Sequence, residues 1–497
     1  MTDDLHERLG ISDADWHATP VHVQVVMRAL VQVIHDLQQQ HQTALAQITT
    51  LQQRVTDLDA RLQQHSQNSS KPPSSDPPSA PPRPPRVPRG RKPGAQPGHP
   101  RHERPDPTPE QLTAERHHVP HTCPTCQGAL TDLPCPPVPV RTQYVWDLPE
   151  VRPIITAHHY HAVACPCCGT TVTAERPADV PPGVFGPRVT ASVTILRGNY
   201  HLSDRKAQQI LADWFGFPIS LGSIVDLQEI GSAALAPVYT AIHAAVQQQD
   251  RCNADETGWK EAGKRRWLWT VVTTVATLFA VLTSRNGPGL RHMIGADYAG
   301  IVGSDRHRPY MALDPPHHQL CWSHLKRNFQ AVADRKGAFG AWGADLLALT
   351  DIVFQLWHGF RDGTIDRATL QAAMAPVQAA FHTLLVQGAR CWAAPDGMCQ
   401  ELLAHEDALW TFVREERVEP TNNAAEQALR PAVLWRKGCF GAQSAAGNRF
   451  VERILSVRAT CQQQQRHLLT FVTEAIAAYW SGRPAPVLIP APATSAS

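Results

Sequence analysis

The 497-residue chain has no run of about 18 consecutive apolar residues, so no membrane-spanning helix is expected of it. The opening, MTDDLHERLG, is polar and acidic and lacks the apolar stretch of a secretory leader. The longest apolar run, Val271 to Leu282, is broken by threonines and predicts paired strands. Net charge is only +2, which excludes any argument for a polyanionic partner from bulk charge alone. With no leader, the twelve cysteines are expected in a reducing cytoplasm, where paired cysteines suggest metal rather than disulfide. Hydrophobic residues still make up 42% of the chain, enough for globular cores, and its length suggests three or four domains.

The charge is unevenly placed. Residues 66–105 carry eight Lys/Arg against Asp76 and Glu103, a local net of +6 that leaves −4 for the remainder. Pro, Ser and Gly dominate this stretch and cannot build a core, so it reads as an extended linker or a basic arm for phosphate. Upstream, Met27, Leu30, Ile34, Leu37, His41, Ala44, Ile48, Leu51, Val55, Leu58 and Leu62 alternate spacings of three and four. That 3.5-residue period is the seam of a coiled coil; Met, Ile and Val at one position with Leu at the other favour two parallel strands. A helix packed on its own domain is the other use of such a pattern. His41, the polar residue in the seam, either fixes register or is a tolerated defect.

Cys123-Pro-Thr-Cys126 and Cys165-Pro-Cys-Cys168 stand 38 residues apart between inner cysteines. Four thiolates from Cys123, Cys126, Cys165 and Cys168 suit a closed, structural Zn²⁺ site, with Cys135 and Cys167 as substitute ligands. Gly128 and Gly169 are expected to supply the positive φ of each knuckle turn. Residues 186–232 read as helical, with Ser203 and Ser220 as N-caps around a Gly216-Phe217-Pro218 turn. Helix, turn, helix fits a DNA reader or an ordinary helical hairpin.

Asn253-Ala254-Asp255-Glu256-Thr257-Gly258-Trp259 is followed by β-rich runs at Arg266–Thr273 and Leu278–Thr283, in hairpin order. A short strand, Gly300 to Asp305, ends in a second aspartate, and His318 to Trp322 is a further strand. Acids ending adjacent strands sit side by side, an oxygen-rich setting that suits Mg²⁺. Two such ions about 3.5–4 Å apart can serve both the attacking and the leaving oxygen of a phosphodiester displacement. A third carboxylate is needed, and Glu426 is the candidate. It lies near the start of an Asn/Thr-capped helix, with Arg430 four residues on along the same face. Singly, each acid reads as an ordinary surface charge; together they do not.

The segments NADETGW, GSDRHRPY, HHQLCWSHLKRNF, EPTNNAAEQALRP and RKGCFGAQS, in this order, closely resemble transposases of the insertion-sequence sixty-six family. The resemblance extends upstream through SSKPPSSD, at Ser69 to Asp76, to the paired cysteines and the coil. It implies a multidomain α+β chain whose RNase H-like α/β catalytic core carries a DDE triad of Asp255, Asp305 and Glu426, holding two Mg²⁺ (or Mn²⁺) ions. The implied organisation is a coiled coil over 1–65, a basic linker over 66–110, a zinc-binding module over 111–180 and a helical region over 181–245. The core follows over 246–480 with a helical insertion at about 331–418, then a disordered tail over 481–497. Gln427 and Gly438 depart from the family's common Arg and Asn.

The implied function is metal-dependent cleavage and strand transfer of DNA at insertion-sequence ends, in a bacterial, nucleoid-associated setting. The expected partners are terminal inverted repeats, target DNA, a second copy or more through the coil, and small accessory proteins. Arg83, Arg86, Arg89, Arg91, Lys92, His324, Lys326, Arg327, Arg430, Arg436 and Lys437 are candidates for phosphate contact, though any one of them can equally be a solvated charge. Trp259 and Trp322 suit core packing better than base stacking. The alternatives are a catalytically inactive or domesticated DNA-binding protein, and a zinc-bearing scaffold without a DNA role.

Overall fold

A computed structural model describes residues 9–62, 64–65, 67–69, 104–130, 139–335, 337–391 and 397–489. The arm residues Arg83, Arg86, Arg89, Arg91 and Lys92, together with Cys135 and the end of the tail, lie outside them. The chain divides into two compact units: Met1–Pro82, Leu235–Leu468 and Pro486–Ser497 form one, and Arg83–Ala234 with Leu469–Ala485 the other.

The first unit opens with α1 (Asp13–Ala18), capped by Ser12, and α2 (Val21–Leu62), a helix of 42 residues. On α2 the seam residues Leu30, Leu37, Leu51 and Leu58 are 56%, 58%, 60% and 50% exposed, so nothing in a single described chain covers the apolar stripe.

In the second unit, a hairpin of β1 (Ala162–Ala164) and β2 (Thr171–Thr173) closes on the Cys165–Cys168 knuckle. Three helices follow: α3 (Pro187–Gly198), α4 (Asp204–Phe215) and α5 (Leu221–Ala234). Ser203 Oγ accepts from Lys206 N and Ser220 Oγ from Ser223 N, so both expected caps form. Gly216 ends α4 at φ +58°, a conformation glycine adopts without strain. Val193, Ala207, Leu211, Ile219, Ile224 and Leu227 form the core of this bundle.

The first unit resumes with α6 (Ala236–Gln247) and then a five-stranded sheet. Its strands are β3 (Arg251–Glu261), β4 (Lys264–Val272), β5 (Thr277–Leu282), β6 (Ile301–Ser304) and β7 (His318–Leu320), in spatial order β5-β4-β3-β6-β7. β3, β4 and β5 form an antiparallel meander, whereas β6 runs parallel to β3, and β7 parallel to β6. Ala262 and Gly263, both at positive φ, make the two-residue turn that matches strand twist between β3 and β4. The crossover from β5 to β6 carries α7 (Gly287–Ile294).

After β7 come α8 (Trp322–Ala333), α9 (Ala338–Arg361), α10 (Arg367–Cys391), α11 (Met398–Ala404), α12 (Glu406–Leu409) and α13 (Thr411–Arg414), the helical run expected between Asp305 and Glu426. Helix α9 is long and apolar enough, by length and composition, to cross a membrane. Its Trp342, Leu346 and Val353 instead sit in an apolar cluster with Trp322, Phe329, Phe381 and Trp410. Trp322 is fully buried, its Nε1 donating to Leu409 O at 2.8 Å, as the packing reading expects.

Helices α14 (Asn423–Cys439) and α15 (Ala445–Gln463) close the sheet, burying Leu429, Ala432, Val451 and Leu455 against Trp259, Leu268 and Phe279. Edge strand β5 would present unpaired N–H groups. Instead Val281, Phe279 and Thr277 donate to the side chains of Glu452, Ser456 and Thr460, at 2.8, 2.9 and 3.1 Å. Those three acceptors lie four residues apart on one face of α15, so a single helix caps the whole edge. Helix α16 (Leu468–Trp480) falls almost wholly in the second unit.

Candidate active site

Strand register decides where the acids meet. Asn253 on β3 pairs with Gly303 on β6, so two residues further along each parallel strand Asp255 and Asp305 are neighbours. Strands lie about 4.8 Å apart, and residues at matching positions share a face. Ser304 pairs with Leu320, which puts Cys321 beside Asp305 in the same way. The carboxyl ends of parallel strands are where ligands bind in such sheets.

Glu426 arrives from the other direction, on the first turn of α14. Asn422, its N-cap residue, makes no side-chain bond to its own helix. Its Nδ2 donates to Ala254 O at 2.8 Å and its Oδ1 accepts from Asn253 Nδ2 at 3.0 Å. Its backbone N–H donates to Cys321 Sγ at 3.2 Å. One side chain therefore fastens the helix carrying Glu426 to the strand carrying Asp255.

The electrostatics follow from this crowding. Burial pushes the Asp255 carboxyl well above the usual range, and the charges of Glu256, Asp305 and Glu426 add to the effect. Asp305 is raised to about 6 by burial and by Glu256, against a hydrogen bond from His307 N and the charge of Arg285. Burial raises Glu426 too, opposed by Arg327, whose guanidinium lies 3.7 Å from Oε1. His324 is pushed down to about 4 by burial and by Arg327, so it is neutral near pH 7. Each acid costs more to charge here than in water, a penalty that a cation would relieve.

Glu256 was not among the residues the sequence singled out. Strand alternation turns it to the face opposite Asp255, where it is buried. It accepts from Arg285 Nε at 2.7 Å and from the Tyr310 hydroxyl, with His307 Nδ1 at 3.6 Å. This network braces the segment from Asp305 to Tyr310. Only its position next to Asp255 in the sequence hinted at a role.

Arg436 spends its guanidinium on Thr257 Oγ1 and Gly258 O, which ties α14 to β3. Lys326 pairs with Asp351, and Arg430 and Lys437 are exposed on α14. Trp259 is buried, its Nε1 donating to Asn448 Oδ1 at 3.0 Å.

The two cysteine knuckles share one turn. Cys123 N donates to Gly128 O and Gln127 N to Cys123 O; Cys165 N donates to Thr170 O and Gly169 N to Cys165 O. The positive-φ residue is the fourth after the first cysteine, Gln127 at 60° and Gly169 at 72°. Gly128 therefore does not fill the role expected of it: the turn's register gives that conformation to Gln127. Each knuckle gathers its own pair of thiols, Cys123 with Cys126 and Cys168 with Cys165. The structure does not draw the two pairs into one cluster: among the described residues, the one group of three ligating side chains within 4.8 Å is Cys321, His324 and Glu426.

Comparison with known proteins bears on this sheet and its flanking helices directly. The model of the Transposase IS66 family matches residues 182–449, more than half of the chain. The chain belongs to this family. The matched span contains Asp255, Asp305 and Glu426 along with the whole sheet, so the IS66 assignment and the convergence of acids concern the same residues. A second model, a family of unknown function (DUF6444), matches residues 20–105, which include helix α2 and the basic stretch. Uncharacterized protein y4hP of Sinorhizobium fredii (strain NBRC 101917 / NGR234) is 22% identical over 394 residues, covering 72% of this chain and 70% of that protein.

The donor set also fits a hard divalent cation. All three acids offer oxygen, and Glu426 Oε1 is buried without a hydrogen-bond partner.

Proposed function

We propose that this IS66-family chain is a DDE transposase that cleaves DNA at insertion-sequence ends and joins the freed end to target DNA. One observation carries the reading: Asp255, in the middle of β3 rather than at its end, and Asp305, just past β6, stand at matching positions of parallel strands, with Glu426 tied to β3 through Asn422. The strand order, three antiparallel strands followed by two parallel ones, is that of an RNase H-like core and supports the same reading.

Asp255, Asp305 and Glu426 would hold two Mg²⁺ or Mn²⁺ ions, which when bound supply Lewis-acid activation of the attacking oxygen and charge stabilisation at the leaving oxygen. The protein's own part is positional. Asn422 fixes the approach of α14, Arg327 orients Glu426, and the Glu256–Arg285–Tyr310 network holds the Asp305 loop against β3. Water would attack the phosphodiester at the element end, and the freed 3′-hydroxyl would then attack the target strand. The basic arm with Arg83, Arg86, Arg89, Arg91 and Lys92 would track DNA phosphates, and His324, Lys326, Arg327, Arg430 and Lys437 would line the approach, whereas Arg436 is held on Thr257 and Gly258. A structural Zn²⁺ at Cys123, Cys126, Cys165 and Cys168, pairing of two copies through α2, help from small accessory proteins and a nucleoid-associated cytoplasmic location belong to this proposal.

The test is Mg²⁺-dependent nicking and strand transfer on terminal-repeat DNA. Asp255→Asn, Asp305→Asn and Glu426→Gln should each abolish both steps while DNA binding survives. Full activity in any of them removes that residue from the triad. DNA binding without nicking in the unaltered chain would favour a catalytically inactive DNA-binding protein.

A further inference from the structure

Cys321, His324 and Glu426 form a ligand cluster that the triad does not explain. They offer one sulfur, one nitrogen and one oxygen, all within 4.8 Å of one another. Cys321 is the N-cap of α8 and His324 lies three residues on, so both project from one turn; Glu426 comes from α14. The Asn422 N–H to Cys321 Sγ bond holds the two helix starts together.

His324 Nδ1 and Glu426 Oε1 are both shut off from solvent and make no hydrogen bond, yet they face each other at 3.4 Å. Nitrogen and oxygen ligands about 2.0–2.1 Å from a tetrahedral ion stand about 3.3–3.4 Å apart. The gap therefore has the width of one coordination edge. Leaving two buried lone-pair atoms without a partner is costly, and a bound cation removes the cost. Thiolate, imidazole and carboxylate together suit a zinc-class ion, whereas magnesium prefers oxygen alone.

We propose that Cys321, His324 and Glu426 bind a zinc-class divalent cation, and that its binding withdraws Glu426 from the Asp255–Asp305 centre. The withdrawal rests on the function proposed above; the binding does not. The Cys321 thiol gives up its proton to solvent as the metal–sulfur bond forms, so each ion bound releases one proton. Arg327, 3.7 Å from Glu426 Oε1, is the cation such an ion displaces.

The full-length protein, free of DNA, is titrated with Co²⁺, and thiolate-to-cobalt absorption, ion stoichiometry and affinity are read. Any cobalt held by the Cys123–Cys168 knuckles would be common to all chains, so the signal is the difference between chains. Cys321→Ala and His324→Ala should each lose one equivalent, or bind it at least about tenfold more weakly, while Asp255→Asn keeps it. His324, unlike Cys321, keeps some exposed surface, so His324→Ala guards against a fold lost with Cys321. Unchanged stoichiometry, affinity and spectrum in both variants overturns the site. In a second arm, Zn²⁺ is added to Mg²⁺-driven nicking, and the rate with zinc is divided by the rate without it for each chain. Zinc should depress this ratio in the unaltered chain more than in Cys321→Ala. Equal depression overturns the withdrawal of Glu426. If the unaltered chain nicks nothing, the transposase reading falls while the cobalt result still decides the site.

Discussion

Asn422 reaches away from the helix it begins and donates a 2.8 Å hydrogen bond to the carbonyl of Ala254, the residue before Asp255. Asparagine is a favoured N-cap because its side chain usually bonds its own helix. Here that capacity goes instead to fastening Glu426's helix to Asp255's strand. Asn422→Asp separates the two roles. An aspartate caps a helix as well as asparagine, but it cannot donate to Ala254 O and it adds a buried charge. We expect Asn422→Asp and Asn422→Ala both to lower stability by about 1–3 kcal/mol in chemical denaturation. Nicking should fall about a hundredfold, the cost of misplacing a reacting group by about 1 Å. An Asn422→Asp chain as stable and active as the original would reduce Asn422 to a simple cap.

The same staple explains a glycine. A Cβ at Gly303 would sit 2.6 Å from Asn253 Nδ2, the atom that bonds Asn422. Gly303→Ala should therefore push the Asn253 side chain off its partner, costing about 1–3 kcal/mol as overpacking does. Asn253→Ala in the same chain removes the clashing atoms. The double variant should be more stable than the sum of the two single losses, a coupling read from a double-mutant cycle. Strict additivity would mean that the alanine is accommodated elsewhere.

Local pattern carried much of this architecture into the sequence. The β-rich runs from Asn253 to Trp322 became the five strands, and Ser203, Gly216 and Ser220 took up their expected ends. The heptad stripe became one helix with its seam bare. What stayed hidden depends on partners distant in sequence. The buried face of β3 holds Glu256, a residue that normally lies outside, because Arg285 and Tyr310 arrive from later segments to satisfy it. Arg436 looked like a phosphate ligand in sequence but bonds Thr257 and Gly258, which no spacing rule reveals. Cys321 looked like one more strand-end residue until α14 brought Glu426 beside it.

The raised acids predict a pH dependence with a definite sign. Asp305 releases its proton at about 6 in the folded chain and near 3.8 when unfolded. Between those values the folded state holds a proton that the unfolded state has lost, so stability falls as pH rises from about 4 to 6. Asp305 alone contributes about 3 kcal/mol to that fall. The thermal midpoint of the metal-free protein should therefore drop across this interval. Asp305→Asn should flatten the drop and raise the midpoint at pH 7. Millimolar Mg²⁺ should raise the midpoint of the original chain near pH 7 and have less effect on Asp305→Asn. A midpoint in the original chain indifferent to both pH and Mg²⁺ would mean that the acids are not held charged against one another.

The bare stripe of α2 predicts self-association of the chain. Leu37 and Leu51 are 58% and 60% exposed, so in one chain they contribute little to folding. Paired with a second copy, each would be buried, contributing about 1.5–3 kcal/mol. Leu37→Asp with Leu51→Asp should then halve the mass seen in sedimentation while leaving the thermal midpoint of the catalytic sheet nearly unchanged. His41 sharpens the test. It occupies a seam position, and a polar residue there specifies register at a cost in stability. His41→Leu should tighten the assembly while loosening its choice of partner number, visible as trimers or larger species beside dimers. A seam serving only to pack on its own domain would respond oppositely, with the double aspartate lowering the midpoint and leaving the mass unchanged.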